Sequence, residues 1–266
     1  VGELSARAVV VTGAASGIGR ALAEALARRG TPVALCDLDA AGAEAAAAKI
    51  RGAGGGAWAI AADVTRPADV ERMVDQARRD AGPLGGLVNC AGLYPNTPFL
   101  DVTAAEWDQV LAVNLRGPFL VTQAVARRMI AEGGGGSIVN ISSTASRLAR
   151  PGIAHYGASK AALNQLTAVT AVELAPHGIR VNAVLPGVVG TERVHENAAT
   201  DRGRVEHEAK LARIPLARLA EPAEVVGVVL FLLSPEAAYC TGALFTVDGG
   251  FTLGIPAPRR EEGSPR

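Results

Sequence analysis

Cysteine, net charge and long apolar runs are all scarce in this 266-residue chain. The three cysteines, Cys36, Cys90 and Cys240, are far apart and odd in number, with no C-x-x-C pair among them. That excludes a disulfide framework and fits reduced thiols in a cytoplasmic protein. Twenty-six Lys and Arg balance twenty-six Asp and Glu, so the basic excess of a nucleic-acid binder is missing. The one notable charge cluster, Arg259, Arg260, Glu261 and Glu262, cancels itself. The opening apolar run, "RAVVVTG", leads straight into a glycine loop, and it is far short of the roughly 18 residues that span a bilayer. No membrane partner and no signal peptide are expected. His195 and His207 lack metal-ligand spacing, so no metal site is expected either. The chain opens on Val1, which suggests a processed or trimmed start.

What is present is a rhythm. Short β-branched runs at 8–12, 32–37, 57–63, 86–92, 137–143, 179–187 and 244–250 alternate with alanine-rich helical patterns at 17–29, 39–51, 67–80, 104–131, 155–176 and 221–234. The runs are continuously apolar, as strands covered on both faces are. Strands alternating with helices imply right-handed crossovers in one parallel sheet. The expected fold is a single α/β domain over residues 1–254, doubly wound, with seven parallel strands and three helices on each face. Residues 190–213 are too long and polar for an ordinary connection and are expected to form a lid. The tail 255–266 is expected to be poorly ordered.

Two features carry chemistry. In "VVVTGAASGIGRALAEAL", Gly13, Gly17 and Gly19 let a ligand approach the backbone. The helix beginning near Ile18 aims unpaired N–H groups at it, an arrangement suited to pyrophosphate. About twenty residues on, strand 2 ends at Asp37, where a carboxylate can bind ribose hydroxyls and repel a 2′-phosphate. Ser16 stands where a basic residue could have received that phosphate, Arg20 lies within the helix, and Asp39 is the better cap for helix 2. The second feature is Tyr156 with Lys160, four residues apart and so on one helix face. Ser143, at the end of strand 5, can reach the same sheet edge. A phenol is a poor base until a nearby ammonium stabilises its anion, and a serine hydroxyl can steady a developing oxyanion. His155 points about 100° away from Tyr156 on the helix, which favours a packing or substrate-rim role.

Together "TGAASGIG" (12–19), "DV" (63–64), "NCAG" (89–92), Asn114, Ser143, "YGASK" (156–160), "PGVVGT" (186–191) and "VDGG" (247–250) resemble the short-chain dehydrogenase/reductase family over about residues 5–252. The resemblance implies a Rossmann-like fold and an oxidoreductase that interconverts a secondary alcohol and a ketone. It implies a catalytic tetrad of Asn114, Ser143, Tyr156 and Lys160, with Asn114 holding a water and Lys160 also holding the nicotinamide ribose. Ser143 is preferred to Ser142 because it stands thirteen residues before the tyrosine. The implied cofactor contacts are Gly13, Ser16, Gly17, Ile18, Gly19, Asp37, Asp63, Val64, Asn89, Ala91, Gly92, Pro186, Gly187, Val189 and Thr191, besides Tyr156 and Lys160. Asp37 points to NAD. Apolar residues on more than one face of helices 104–131 and 155–176, and the family itself, imply a homotetramer. Cys90 replaces the second asparagine of the usual N-N-A-G. The competing readings are an NADPH-dependent acyl-carrier ketoreductase and a catalytically silent dinucleotide-binding scaffold.

Overall fold

The computed structural model describes residues 7–192, 194, 196 and 208–254. Its strands are β1 (Ala8–Thr12), β2 (Val33–Asp37), β3 (Ala57–Ala61), β4 (Leu84–Asn89), β5 (Gly136–Ile141), β6 (Ile179–Pro186) and β7 (Leu244–Val247). They form one sheet in the order β3-β2-β1-β4-β5-β6-β7, every neighbouring pair parallel. The direction of winding reverses between β1 and β4, which opens a crevice at the carboxyl edge there.

The helices are α1 (Gly17–Ala27), α2 (Ala40–Gly52), α3 (Pro67–Ala81), α4 (Ala104–Leu111), α5 (Gly117–Ala131), α6 (Ala154–Leu174) and α7 (Pro222–Leu233). Side-chain alternation along the strands sorts them into two layers. Val9 and Val11 pack with Leu22 and Leu26 of α1, Ala47 and Ile50 of α2, and Val225 and Val229 of α7. Ala8 and Val10 pack with Met73 and Val74 of α3, Val121 and Val125 of α5, and Ala171 of α6. Each large aliphatic side chain so buried contributes about 1.5–3 kcal/mol. The expected sheet with three helices on each face is therefore present. Asp39 caps α2 as its position implied, accepting from Gly42 N–H at 3.0 Å.

One expected element differs. The pattern over 104–131 reads as a single helix, but the structure breaks it at a wide turn over Ala112–Arg116, where Gly117 N–H reaches back five residues to the Ala112 carbonyl. The cause lies two residues beyond the turn. Pro118 has no N–H, so the carbonyl of Asn114 cannot take its usual partner four residues on. The turn rotates Asn114 inward, where it is fully buried. Within the expected lid, residues 193, 195 and 197–207 lie outside the described residues, as does the tail 255–266. Among the described residues no helix is long and apolar enough to cross a membrane, and no cluster could hold a metal ion.

Candidate active site

The glycine loop closes the carboxyl end of β1. Gly13 has φ +67°, and a Cβ there would sit 2.7 Å from the main chain of Ala91. A Cβ on Gly19 would sit 2.1 Å from the Gly13 carbonyl oxygen. Both glycines are therefore needed to let β1, α1 and the β4 end meet. Ser16 is exposed and begins α1 without a capping bond from its side chain. Asp37 ends β2 against this loop: its Oδ2 accepts from Ala15 N–H at 2.9 Å and its Oδ1 from Asp39 N–H at 3.0 Å. Arg20, the nearest cation of α1, is paired with Glu192 across the crevice. Thr191 stands over the loop, its Cγ2 3.5 Å from where a Gly17 Cβ would be. Gly187 follows β6 so closely against Asp248 that a Cβ would lie 2.8 Å from that residue's Cα. Val189 is buried and bridges to Ala220.

Beneath the crevice lies a polar floor. The Asn89 amide nitrogen donates to Thr122 Oγ1 at 3.0 Å and to Asn140 Oδ1 at 2.8 Å. Asn140 in turn donates to Thr167 Oγ1 at 2.9 Å. The side chain of Asn89 thus joins β4 and β5 to α5 and α6, which leaves its main chain at the crevice. Asp63 is likewise engaged, accepting from Thr65 N–H at 2.9 Å and Thr65 Oγ1 at 2.7 Å. Its neighbour Val64 packs at Gly117, where a Cβ would lie 2.9 Å from Val64 Cγ2.

At the edge of β5 the four tetrad positions come together. Asn114 Oδ1 accepts from Leu93 N–H at 2.7 Å, and its Nδ2 donates to the Leu93 carbonyl at 2.9 Å and to Ser159 Oγ at 3.2 Å. The amide nitrogen is thus fully engaged, and Pro118 has no N–H to offer the Asn114 carbonyl. Lys160 is buried, and its Nζ donates to the Ile141 carbonyl at 2.8 Å. A Cβ on Gly92 would lie 3.4 Å from Asn114 Oδ1 and 3.8 Å from Lys160 Nζ, so this glycine keeps the space between them open. Ser143 lies beside the phenol of Tyr156, in place to hydrogen-bond with it. Ser142 instead turns inward to Asn164 Oδ1 at 2.7 Å.

Burial governs the electrostatics of the closed site and works against both charges, phenolate and ammonium. It pushes Tyr156 above its ordinary range, opposed first by the Ser143 hydrogen bond and then by the charge of Arg150. It pulls Lys160 down to about 8. The ammonium stands 5.8 Å from the Tyr156 ring centre, turned toward Ile141. Cys90 is pushed up to about 11 by burial, which leaves its thiol protonated at neutral pH.

Several residues here were not singled out from the sequence. Tyr94 meets Tyr156 edge-on with ring centres 4.5 Å apart, and Arg150 lies 5.3 Å from the Tyr94 ring centre. Asn164 donates to Ser146 Oγ at 2.9 Å, which with its Ser142 bond clamps the Ser143 segment to α6. Asn164 follows Lys160 by four residues, so helical periodicity could have found it. Nothing in the sequence marks Arg150, and Tyr94 is marked only as part of the loop "LYPNTPF" (93–99), expected to wall the substrate pocket.

The crevice fits the dinucleotide that the sequence implies. A cradle that any Cβ would fill lies at the head of α1, and a carboxylate stands at the end of β2. Gly19→Ala is expected to lower the melting temperature and to weaken NADH binding by about tenfold or more. Fluorescence titration reads the affinity; unchanged binding in a folded variant would mean that this turn does not grip the cofactor.

The comparisons agree with this geometry. A family model described as enoyl-(acyl carrier protein) reductase matches residues 13–252. The chain is 40% identical over 251 residues to 2-(S)-hydroxypropyl-CoM dehydrogenase 3 of Xanthobacter autotrophicus, covering 94% of this chain and 98% of that one. It is 41% identical to D-threitol dehydrogenase of Mycolicibacterium smegmatis, covering 94% and 95%. A crystal structure of a short-chain type dehydrogenase/reductase from Mycobacterium marinum superposes with a TM-score of 0.89 at 37% identity, covering 95% and 98%. With its glycine crevice, its Ser–Tyr–Lys edge and these relatives, the chain belongs to the short-chain dehydrogenase/reductase family and is an oxidoreductase acting on CH–OH groups.

Proposed function

We propose that this chain interconverts a small secondary alcohol and its ketone with NAD as cofactor and Tyr156 as the proton carrier. The observation that carries the reading is the convergence of Ser143 and Lys160 on Tyr156 at the β5 edge, with Asn114 on its inner side. In the oxidative direction the substrate hydroxyl gives its proton to the Tyr156 oxygen, and in reduction Tyr156 returns it. Ser143 donates to the substrate oxygen and steadies its developing charge. Lys160, with its pKa drawn to about 8, lies close enough to neutrality to pass protons inward. The Asn114 carbonyl is placed to hold a water at that inner end. When bound, the nicotinamide supplies the acceptor for the carbinol hydride, or the hydride itself in reduction.

Gly13, Ser16, Gly17, Ile18 and Gly19 hold the pyrophosphate in this reading. Asp63 and Val64 meet the adenine, and the main chain at Asn89, Ala91 and Gly92 walls the crevice. Pro186, Gly187, Val189 and Thr191 close over the nicotinamide, and Lys160 holds its ribose. Asp37 sets the cofactor choice. Each of its carboxylate oxygens already accepts one backbone N–H, so the group is fixed in place with lone pairs left for ribose hydroxyls. A 2′-phosphate would meet that charge, and the pairing of Arg20 with Glu192 removes the nearest compensating cation. Free Cys36, Cys90 and Cys240 suit a reducing cytoplasmic setting.

A homotetramer completes the proposal. Phe119, Val169 and Val172 are exposed on α5 and α6, while Val110 and Leu163 face the core. A groove of about 490 Å³ between these helices is lined by Leu111, Leu115, Phe119 and Leu166, an apolar face suited to a symmetric partner.

Three outcomes are expected. Tyr156→Phe should lose turnover by about 10²–10⁴-fold while still binding NADH, and retained turnover would remove Tyr156 from its role. Steady-state kinetics with both cofactors should favour NAD by about tenfold to several hundredfold, and Asp37→Ser with Ser16→Arg should narrow or reverse that ratio. Light scattering at micromolar concentration should give the mass of four chains; the mass of one chain would remove the tetramer.

A further inference from the structure

Helix α6 carries Tyr156 in its first turn, and that turn is short of a cap. Ile153 stands at the cap position and has no side-chain acceptor to offer. The first intrahelical bond runs from Gly157 N–H to the Ile153 carbonyl at 2.7 Å, so the N–H of Tyr156 has no partner within the helix. Its partner is the preceding side chain: Tyr156 N–H donates to His155 Nδ1 at 3.0 Å. An amide N–H can only donate, so Nδ1 carries no proton, and the proton of the neutral imidazole sits on Nε2. That nitrogen faces Glu106 Oε1 at 3.3 Å. The same Oε1 accepts from the Thr97 hydroxyl at 2.7 Å. The Thr97 bond, and after it His155, hold the Glu106 carboxyl below its usual range, so it stays an acceptor. His155 is fully buried, which excludes the substrate-rim alternative.

This chain of bonds reaches the loop over 93–99. Asn114 pins the Leu93 end of that loop through N–H and carbonyl. Glu106 pins the other end at Thr97, where Thr97 N–H also donates to the Gly152 carbonyl at 2.9 Å. Between the pins, Tyr94 lies edge-on against Tyr156. We infer that His155 is a positioning residue: its unprotonated Nδ1 takes the place of the missing helix cap, fixes the main chain of Tyr156, and ties it through Glu106 and Thr97 to the loop that walls the substrate pocket. The inference rests on the proposed proton role of Tyr156 and adds what sets the height and angle of that phenol.

Two variants separate capping from packing. His155→Leu keeps the volume and removes the acceptor; His155→Asn keeps an oxygen where Nδ1 was. In the leucine variant the Tyr156 amide is expected to exchange with deuterium about tenfold faster and kcat to fall by about tenfold, because a buried donor is left unpaired. The Kd for NADH should stay within about twofold, since the glycine loop is untouched. The asparagine variant should restore both amide protection and kcat. A leucine variant with wild-type exchange and kcat, or an asparagine variant no better than leucine, would overturn the inference. If the leucine variant does not fold, the asparagine variant decides alone: wild-type protection and kcat support the cap, and loss of either overturns it. Tyr156→Phe measured alongside distinguishes the two failures. Turnover retained there would remove the proton role of Tyr156, while amide exchange still judges the His155 contact.

Discussion

The hydrogen bond from Lys160 Nζ to the Ile141 carbonyl joins the sheet to the helix that carries the chemistry. A buried ammonium needs an oxygen partner, and a carbonyl at the end of a parallel strand is one that the sheet leaves free. Once Lys160 is held there, α6 has one rotation about its axis relative to β5. Tyr156 and Asn164, four residues to either side on the same face, then have fixed places. Tyr156 meets Ser143, and Asn164 clamps the segment bearing Ser143 through Ser142 and Ser146. Burial has an electrostatic consequence as well. The fold holds a phenol raised by burial and an ammonium lowered to about 8, so two groups of nearly equal proton affinity in water are driven apart, each toward its neutral form.

Polar groups inside this fold are supported by others at each step away from the edge. Asn89, Asn140, Thr122 and Thr167 form a floor that locks β4 and β5 to α5 and α6. The glycine loop is locked on the other side, through Asp37 to Ala15 and through Arg20 to Glu192. The site is thus held by contacts from both halves of the sheet, and they meet at the crevice where the strand order reverses. That position follows from topology: two strands whose crossovers leave in opposite directions cannot cover the gap between them.

Backbone chemistry explains the two irregular places. Pro118 withdraws one N–H and, with it, the regular course of the helix before it, which turns Asn114 inward. At Ile153 no side-chain cap exists, and the imidazole of His155 takes that position one residue into the helix. In both cases an unsatisfied main-chain group beside the site decides where a functional side chain points.

By itself the sequence determined the strands, the helices and their alternation, because continuous β-branched runs and helical periodicity are local properties of the chain. It also determined the glycine loop, Asp37 at the end of β2, Asp39 as the cap of α2, and the shared face of Tyr156 and Lys160, since each depends on spacings of a few residues. The wide turn at Ala112–Arg116 was within reach through Pro118, but helical periodicity runs across it unbroken. Only the tertiary structure decided that the Asn89 side chain turns into the floor, that burial outweighs Ser143 and Arg150 in setting the Tyr156 phenol, and that Glu106 reaches His155 across 49 positions. These contacts join residues whose separation along the chain carries no period. Their energies come from desolvation, which exists only once the layers have closed over them.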